Sequence, residues 1–233
     1  MIVRTLAVIQ HTSADYLGLM EDHLEGRRIR FRYFRPFTGG RSLPSPDDVA
    51  GGLVLLGGGP WGSAGDRDVP TLEAEVELTR HALALGAPVL GIGLGAQLLC
   101  LAAGGGSAPA PLIFEVGEGR RTRDDALNGF LPERFPLVRY GRDKPVLPGD
   151  TVTLAVDAAG EPCLFQVGER ALGFTGHPGM KTAMVEDLIM EFVESAAEPS
   201  AGLMALRERK RDIEDALVPM MTGLVQVLGL MEP

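Results

Sequence analysis

The segment Val89 to Gln97 constrains this chain more than any other. A short apolar run, Val89 to Ile92, empties into the glycine-rich string Gly91-Ile92-Gly93-Leu94-Gly95-Ala96-Gln97, which leads at once into the apolar helical stretch Leu98 to Ala103. A strand that turns so sharply into a helix needs glycines for positive φ and for close backbone approach, and it lifts its central residue above the sheet. That residue is Gly93.

The pattern around this turn repeats along the first half of the chain. Val3 to Gln10 reads as a strand, Asp15 to Leu24 as a helix, and Ile29 to Phe34 as a second strand. Leu53 to Leu56 reads as a third strand ending in Gly57, Gly58, Gly59 and Pro60, and Thr71 to Leu85 as an amphipathic helix that Gly86 and Pro88 terminate. Such alternation predicts a mainly parallel sheet with helices on both faces and a site at the carboxyl ends of the strands, where both glycine clusters fall. After Gly104 to Gly106, short strands are expected over Leu112 to Val116, Thr151 to Val156, Cys163 to Val167 and Ala171 to Thr175, joined by turns and antiparallel. Met180 to Ser195 reads as a closing helix and Ala196 to Ser200 as a linker. An amphipathic helix is expected over Gly202 to Leu217, broken by Pro219 before an apolar tail, Met220 to Met231. The expected division is therefore a domain over 1–195 and a helical extension over 196–233, which either packs back on the domain or carries a homo-oligomer or partner interface.

Composition narrows the function classes. With 45% apolar residues in 233, one core of ordinary size is expected. The balance of 22 basic against 31 acidic residues, a net charge of −9, opposes binding to nucleic acid or anionic lipid. No apolar run approaches the length of a membrane span, and the chain begins without a basic leader, so a cytoplasmic protein is expected. The two cysteines, Cys100 and Cys163, sit in apolar stretches and read as buried thiols, with neither a disulfide framework nor a metal site. No cofactor is implied.

Three strings in order carry a family resemblance: Gly58-Gly59-Pro60, the turn Gly91 to Gln97, and Gly173-Phe174-Thr175-Gly176-His177-Pro178. Together they resemble the class I glutamine amidotransferases, in particular stand-alone members similar to the glutaminase domain of GMP synthase, over roughly Thr5 to Glu194. The resemblance implies a three-layer, flavodoxin-like α/β fold. It also implies a cysteine at position 93 as nucleophile, a histidine at 177 as its base, and a glutamate at 179 to orient the histidine. The N–H groups of Gly59 and Leu94 are implied as oxyanion donors, with Gly58 in the same loop and Gln97 helping to hold a bound glutamine. Here Gly93 and Gly179 replace two of the three catalytic side chains, leaving His177 as a remnant.

The expected function is therefore a degenerate amidotransferase-like binding or regulatory subunit, with a glutamine-like small molecule and a synthase or other protein as candidate partners. Two alternatives follow from the same residues. One is a working amidotransferase or amide hydrolase in which His177 serves an unrecognised nucleophile or an activated water. The other is an inert scaffold whose C-terminal helices carry the function. Trp61 is expected either to cover the pocket or to pack beneath it, and His11, at the end of the first strand, to cap a loop.

Overall fold

A computed structural model describes residues 5–38 and 43–231. Residues Val3 and Arg4 of the expected first strand lie outside this range. A nine-stranded mixed sheet organises the fold. Its parallel part comprises β1 (Thr5–Ile9), β2 (Arg30–Phe34), β3 (Leu53–Leu55), β4 (Val89–Ile92) and β11 (Ala171–Phe174), in the order β2-β1-β3-β4-β11. The sheet continues from β11 as an antiparallel part, through β10 (Pro162–Val167), β9 (Val152–Val156), β6 (Ile113–Arg121) and β7 (Arg134–Gly141). A separate antiparallel pair joins β5 (Gly106–Ala108) to β8 (Lys144–Val146).

The strand side chains show why both faces are covered. Leu6 and Val8 pack in one apolar cluster with Val54 and Leu90, while the alternate residues Ala7 and Ile9 pack in another with Leu53, Leu55 and Val89. This two-residue alternation, apolar on both sides, is the mark of a sheet with helices on each face. The first face takes α1 (Met20–Gly26) and α6 (Lys210–Val227); the second takes α2 (Leu72–Ala84) and α3 (Leu94–Ala102). A third cluster packs α4 (Thr182–Glu191) and α5 (Pro199–Glu208) over Val138 and Tyr140 of β7.

Several sequence expectations are corrected. The first helix starts at Met20 rather than Asp15, so residues 12–19 form a loop that reaches the site. The second-half strands are not all antiparallel: β11 pairs parallel with β4 on one side and antiparallel with β10 on the other, joining the two parts of the sheet. Strand β7, unexpected because Pro136 interrupts its alternation, lies at the sheet edge, where a proline lacking its N–H is tolerated. The expected linker is partly helical, since α5 begins at Pro199.

The C-terminal helix differs most from expectation. The break falls at Arg209, and α6 then runs unbroken through Pro219. An interior proline removes one hydrogen bond and crowds the preceding turn. Here the apolar face formed by Leu217, Met220, Met221 and Leu224 is locked into the main core with Leu6, Leu17 and Leu24, and that packing holds the helix through the proline. The 202–231 segment thus packs back on its own domain, and this face is not free for a second copy. Met221→Ala should lower the unfolding free energy by about 2–5 kcal/mol, read from urea denaturation, and truncation after Ser200 should abolish the cooperative transition.

Candidate functional site

The carboxyl ends of β1, β3, β4 and β11 lie side by side, with Ile9 opposite Leu55, Leu55 opposite Gly91, and Phe174 opposite Ile92. The Gly93 N–H donates to the Phe174 carbonyl at 2.8 Å, tying the β4 turn to the end of β11. Gly93 has φ 58° and ψ −114°, a conformation that strains any residue with a side chain, and it caps α3. The helix then passes so close to β3 that a Cβ on Gly95 would collide with the Leu55 carbonyl oxygen. The sharp strand-to-helix turn is therefore intact although its central side chain is absent. A Cβ added at Gly93 would meet only the Gly57 Cα, at 3.4 Å.

Above the turn opens a cavity of about 410 Å³. Gly58, Gly93, Leu94, Gln97 and Thr175 line its inner part, and Trp61, Ile113, Arg139 and Arg142 lie among its walls. Trp61 thus faces the cavity, with the Arg67 guanidinium 4.9 Å from its ring centre. Arg139 is held between Glu115, at 2.5 Å, and Asp157, at 2.8 Å. Arg142 joins Glu194, which also binds Arg67, so the 61–68 loop is clamped to the segment after α4. The Asp143 carboxylate accepts the N–H groups of Ser63, Ala64 and Ala110 and pins the same loop from below.

Gln97 lines the cavity, but its amide is engaged by the walls. Its Oε1 accepts the Ser63 hydroxyl at 2.5 Å, and its Nε2 donates to the Arg142 carbonyl at 2.7 Å. The backbone donors, by contrast, are free: the N–H groups of Gly58, Gly59 and Leu94 have no hydrogen-bond partner among the described residues.

His177 is buried and does not line the cavity. The Gly179 N–H donates to its Nδ1 at 3.1 Å, so the ring proton sits on Nε2, which donates to the Tyr16 carbonyl at 2.7 Å. Burial pushes its pKa down to about 4, which keeps the imidazole neutral. Both nitrogens are thus consumed by backbone. Position 179 is equally closed: the Leu19 N–H bonds its carbonyl, and a Cβ there would lie 3.0–3.2 Å from Met20 Cγ and the backbone nitrogens of Met20 and Leu19. The 12–19 loop fills the space that a side chain at 179 needs.

A buried cluster that the sequence reading missed lies under the glycine loop. His11 and Glu75 are fully buried and joined Nε2 to Oε2 at 2.8 Å. His11 Nδ1 lies 3.0 Å from the Gly57 carbonyl, which can only accept, so this nitrogen carries a proton. Burial alone would push the imidazole pKa down, but the adjoining Glu75 carboxylate outweighs it and raises the value. Asp15 packs against Gly57 from the other side, and burial lifts its carboxyl to about 7. The available signal was Glu75 itself, a charged residue in register with Leu72, Val76 and Thr79 on the buried face of α2.

Among the described residues, no group of three or more His, Cys, Asp or Glu side chains is placed to hold a metal ion, and no helix is long and apolar enough to cross a membrane. Glu75→Ala leaves His11 without its carboxylate and should cost about 3–5 kcal/mol of stability in a urea titration. Gly179→Glu, which puts back the side chain that the resemblance implies, should be destabilising by at least about 1–3 kcal/mol through overpacking against Leu19 and Met20.

Comparison with known proteins places these features. The structure is similar to a glutamine amidotransferase from Methylobacillus flagellatus, at 22% identity over 97% of this chain and 96% of the other, with a TM-score of 0.79. It is also similar to a glutamine amidotransferase from Thermotoga maritima, at 21% identity over 98% and 99% with a TM-score of 0.76. A protein from Thermoplasma acidophilum, described as one of the subunits of GMP synthase, is 17% identical over 91% and 99%, with a TM-score of 0.57. The first two alignments cover too much of the chain to leave out the 196–233 segment, so the likeness of fold extends into the C-terminal helices. No curated protein matches the sequence. The model of the family "Glutamine amidotransferase class-I" matches residues 43–161, more than half of the chain. With that match, and with the strand-to-helix turn and glycine loop in place, the chain belongs to the class I glutamine amidotransferase family.

Proposed function

We propose that this chain is a non-catalytic member of its family, a binding or regulatory subunit whose pocket holds a small ligand without turning it over. The observation that carries the reading is the combination at the turn: Gly93 offers no nucleophile, while the backbone donors beside it have no partner among the described residues. Loss of a triad nucleophile alone removes several orders of magnitude of rate. His177 deepens the loss, since both of its nitrogens are bonded to backbone and burial, by pushing its pKa down to about 4, makes it a weak proton acceptor.

A substitute nucleophile has no candidate among the cysteines. Cys100 and Cys163 are buried, and burial pushes both thiols up to about 12, far from the reactive thiolate range. For the partner, we propose a synthase-type protein docking over the cavity mouth. The fold likeness to a protein described as belonging to a synthase supports such an assembly.

Ammonia release from glutamine tests the reading. The unmodified chain should show no enzymatic turnover, and Gly93→Cys should stay inert as well, because His177 has no free nitrogen to activate a thiol. Release at about 1 per second or faster by the unmodified chain would overturn the proposal.

A further inference from the structure

The two edges of the nine-stranded sheet differ. At β7 the edge is blunted, because the His177 N–H occupies the Val138 carbonyl at 2.8 Å and Pro136 has no N–H to offer. At β2, the opposite edge, the Phe34 carbonyl accepts the Gln10 N–H at 2.9 Å from the β1 side. In a parallel ladder alternate residues face the neighbouring strand, so Arg30, Arg32 and Phe34 bond towards β1, and the N–H and C=O groups of Phe31 and Tyr33 point off the sheet. These outward groups have no hydrogen-bond partner among the described residues.

The side chains along this edge are basic. Residues 27–35 carry five arginines and no acidic residue, in a chain of net charge −9. Arg30 and Arg32 share one face of the strand, and both are exposed. Arg32 binds Asp48, whereas Arg28 and Arg30 form no ion pair or side-chain hydrogen bond among the described residues. The other face carries Phe31 and Tyr33, packed edge to face at 5.8 Å and half-buried against the main core.

Charge on an edge strand guards against pairing with a second copy, and two β2 edges laid antiparallel would set arginine against arginine. The same charge admits a strand of opposite sign. Single-stranded nucleic acid is also an anion, but it needs open aromatic faces on which to stack. The rings here are half-buried, and arginines already lie over two of them: Arg32 is 4.4 Å from the Phe34 ring centre and Arg35 is 5.1 Å from that of Tyr33.

We propose that the β2 edge receives an extended acidic segment of a partner protein as an added strand, with its carboxylates beside Arg30 and Arg32. Main-chain bonds to Phe31 and Tyr33 supply the pairing, and the arginines select the sign of the partner. No residue of β2 lines the cavity, so this surface is separate from the one proposed for a synthase-type partner at the cavity mouth.

The probe is an end-blocked heptapeptide of alternating glutamate and valine, titrated into the full chain and followed by amide-resolved NMR at neutral pH. Its counterparts carry lysine in place of glutamate, or a methyl group on every backbone nitrogen. The acidic peptide should bind with a dissociation constant below about 1 mM and shift the Phe31 and Tyr33 amide signals. Arg30→Glu should weaken that binding at least about fivefold, and the lysine and N-methylated peptides should bind at least about tenfold more weakly. Absence of acidic-peptide binding at about 1 mM, binding that leaves those two amides unmoved, or equal binding of either counterpart overturns the proposal. A uridine decamer that moves the same amides and binds more tightly than the peptide overturns it in favour of nucleic acid. Broadening of those signals with protein concentration alone overturns it in favour of a second copy.

Discussion

The parallel pairing of β4 with β11 is the contact on which the site depends. It holds β11, the strand from which the antiparallel part of the sheet continues, to the rest of the parallel part, and its last rung puts the Phe174 carbonyl within reach of the Gly93 N–H. Without it the β4 turn would not be held beside the segment that carries Thr175 and His177. The glycine loop after β3 is anchored separately, by the buried His11–Glu75 pair acting on the Gly57 carbonyl. An ion pair of that kind is costly to bury, and its retention is understandable if it orients a peptide that must not flip.

On the proposed non-catalytic reading, the loss of chemistry is distributed over the packing rather than confined to one position. Gly93 removes the nucleophile, but the backbone there keeps the strained turn that a nucleophile would occupy. At the second position the space is tight, since Leu19 and Met20 pack against Gly179, and the Tyr16 carbonyl accepts the His177 Nε2 proton. What survives is the backbone: donors fixed by carbonyl contacts that do not depend on the missing side chains. A site in this condition is suited to recognition, because ground-state binding needs the donors and not the nucleophile.

Most of the parallel part of the fold was legible in the sequence, because its strands are apolar runs ending in glycine and its helices carry a regular apolar stripe. The turn at Gly93 and the loop at Gly58 and Gly59 were legible for the same reason. Strand β7 was not, since Pro136 reads as a breaker unless the strand is known to lie at an edge. Pro219 misled in the opposite direction: local propensity predicted a break, and the tertiary packing of Met220, Met221 and Leu224 overrode it. The outer walls of the cavity come largely from β7 and the turn after it, so Arg139, Arg142 and Asp143 could not be placed in the site from sequence. Nor could the orientation of His177, which depends on a carbonyl 161 residues away.

The state of His177 decides most directly whether this is a catalytic site that has lost one side chain or one rebuilt for another purpose. Heteronuclear NMR of the imidazole across pH 3 to 8 reads both its tautomer and its titration. The account predicts a neutral ring protonated on Nε2 throughout the neutral range, with a midpoint near about 4. A midpoint at or above the ordinary histidine value of about 6.5, or a proton on Nδ1 with Nε2 free, would show a histidine still poised to act as a base and would contradict it.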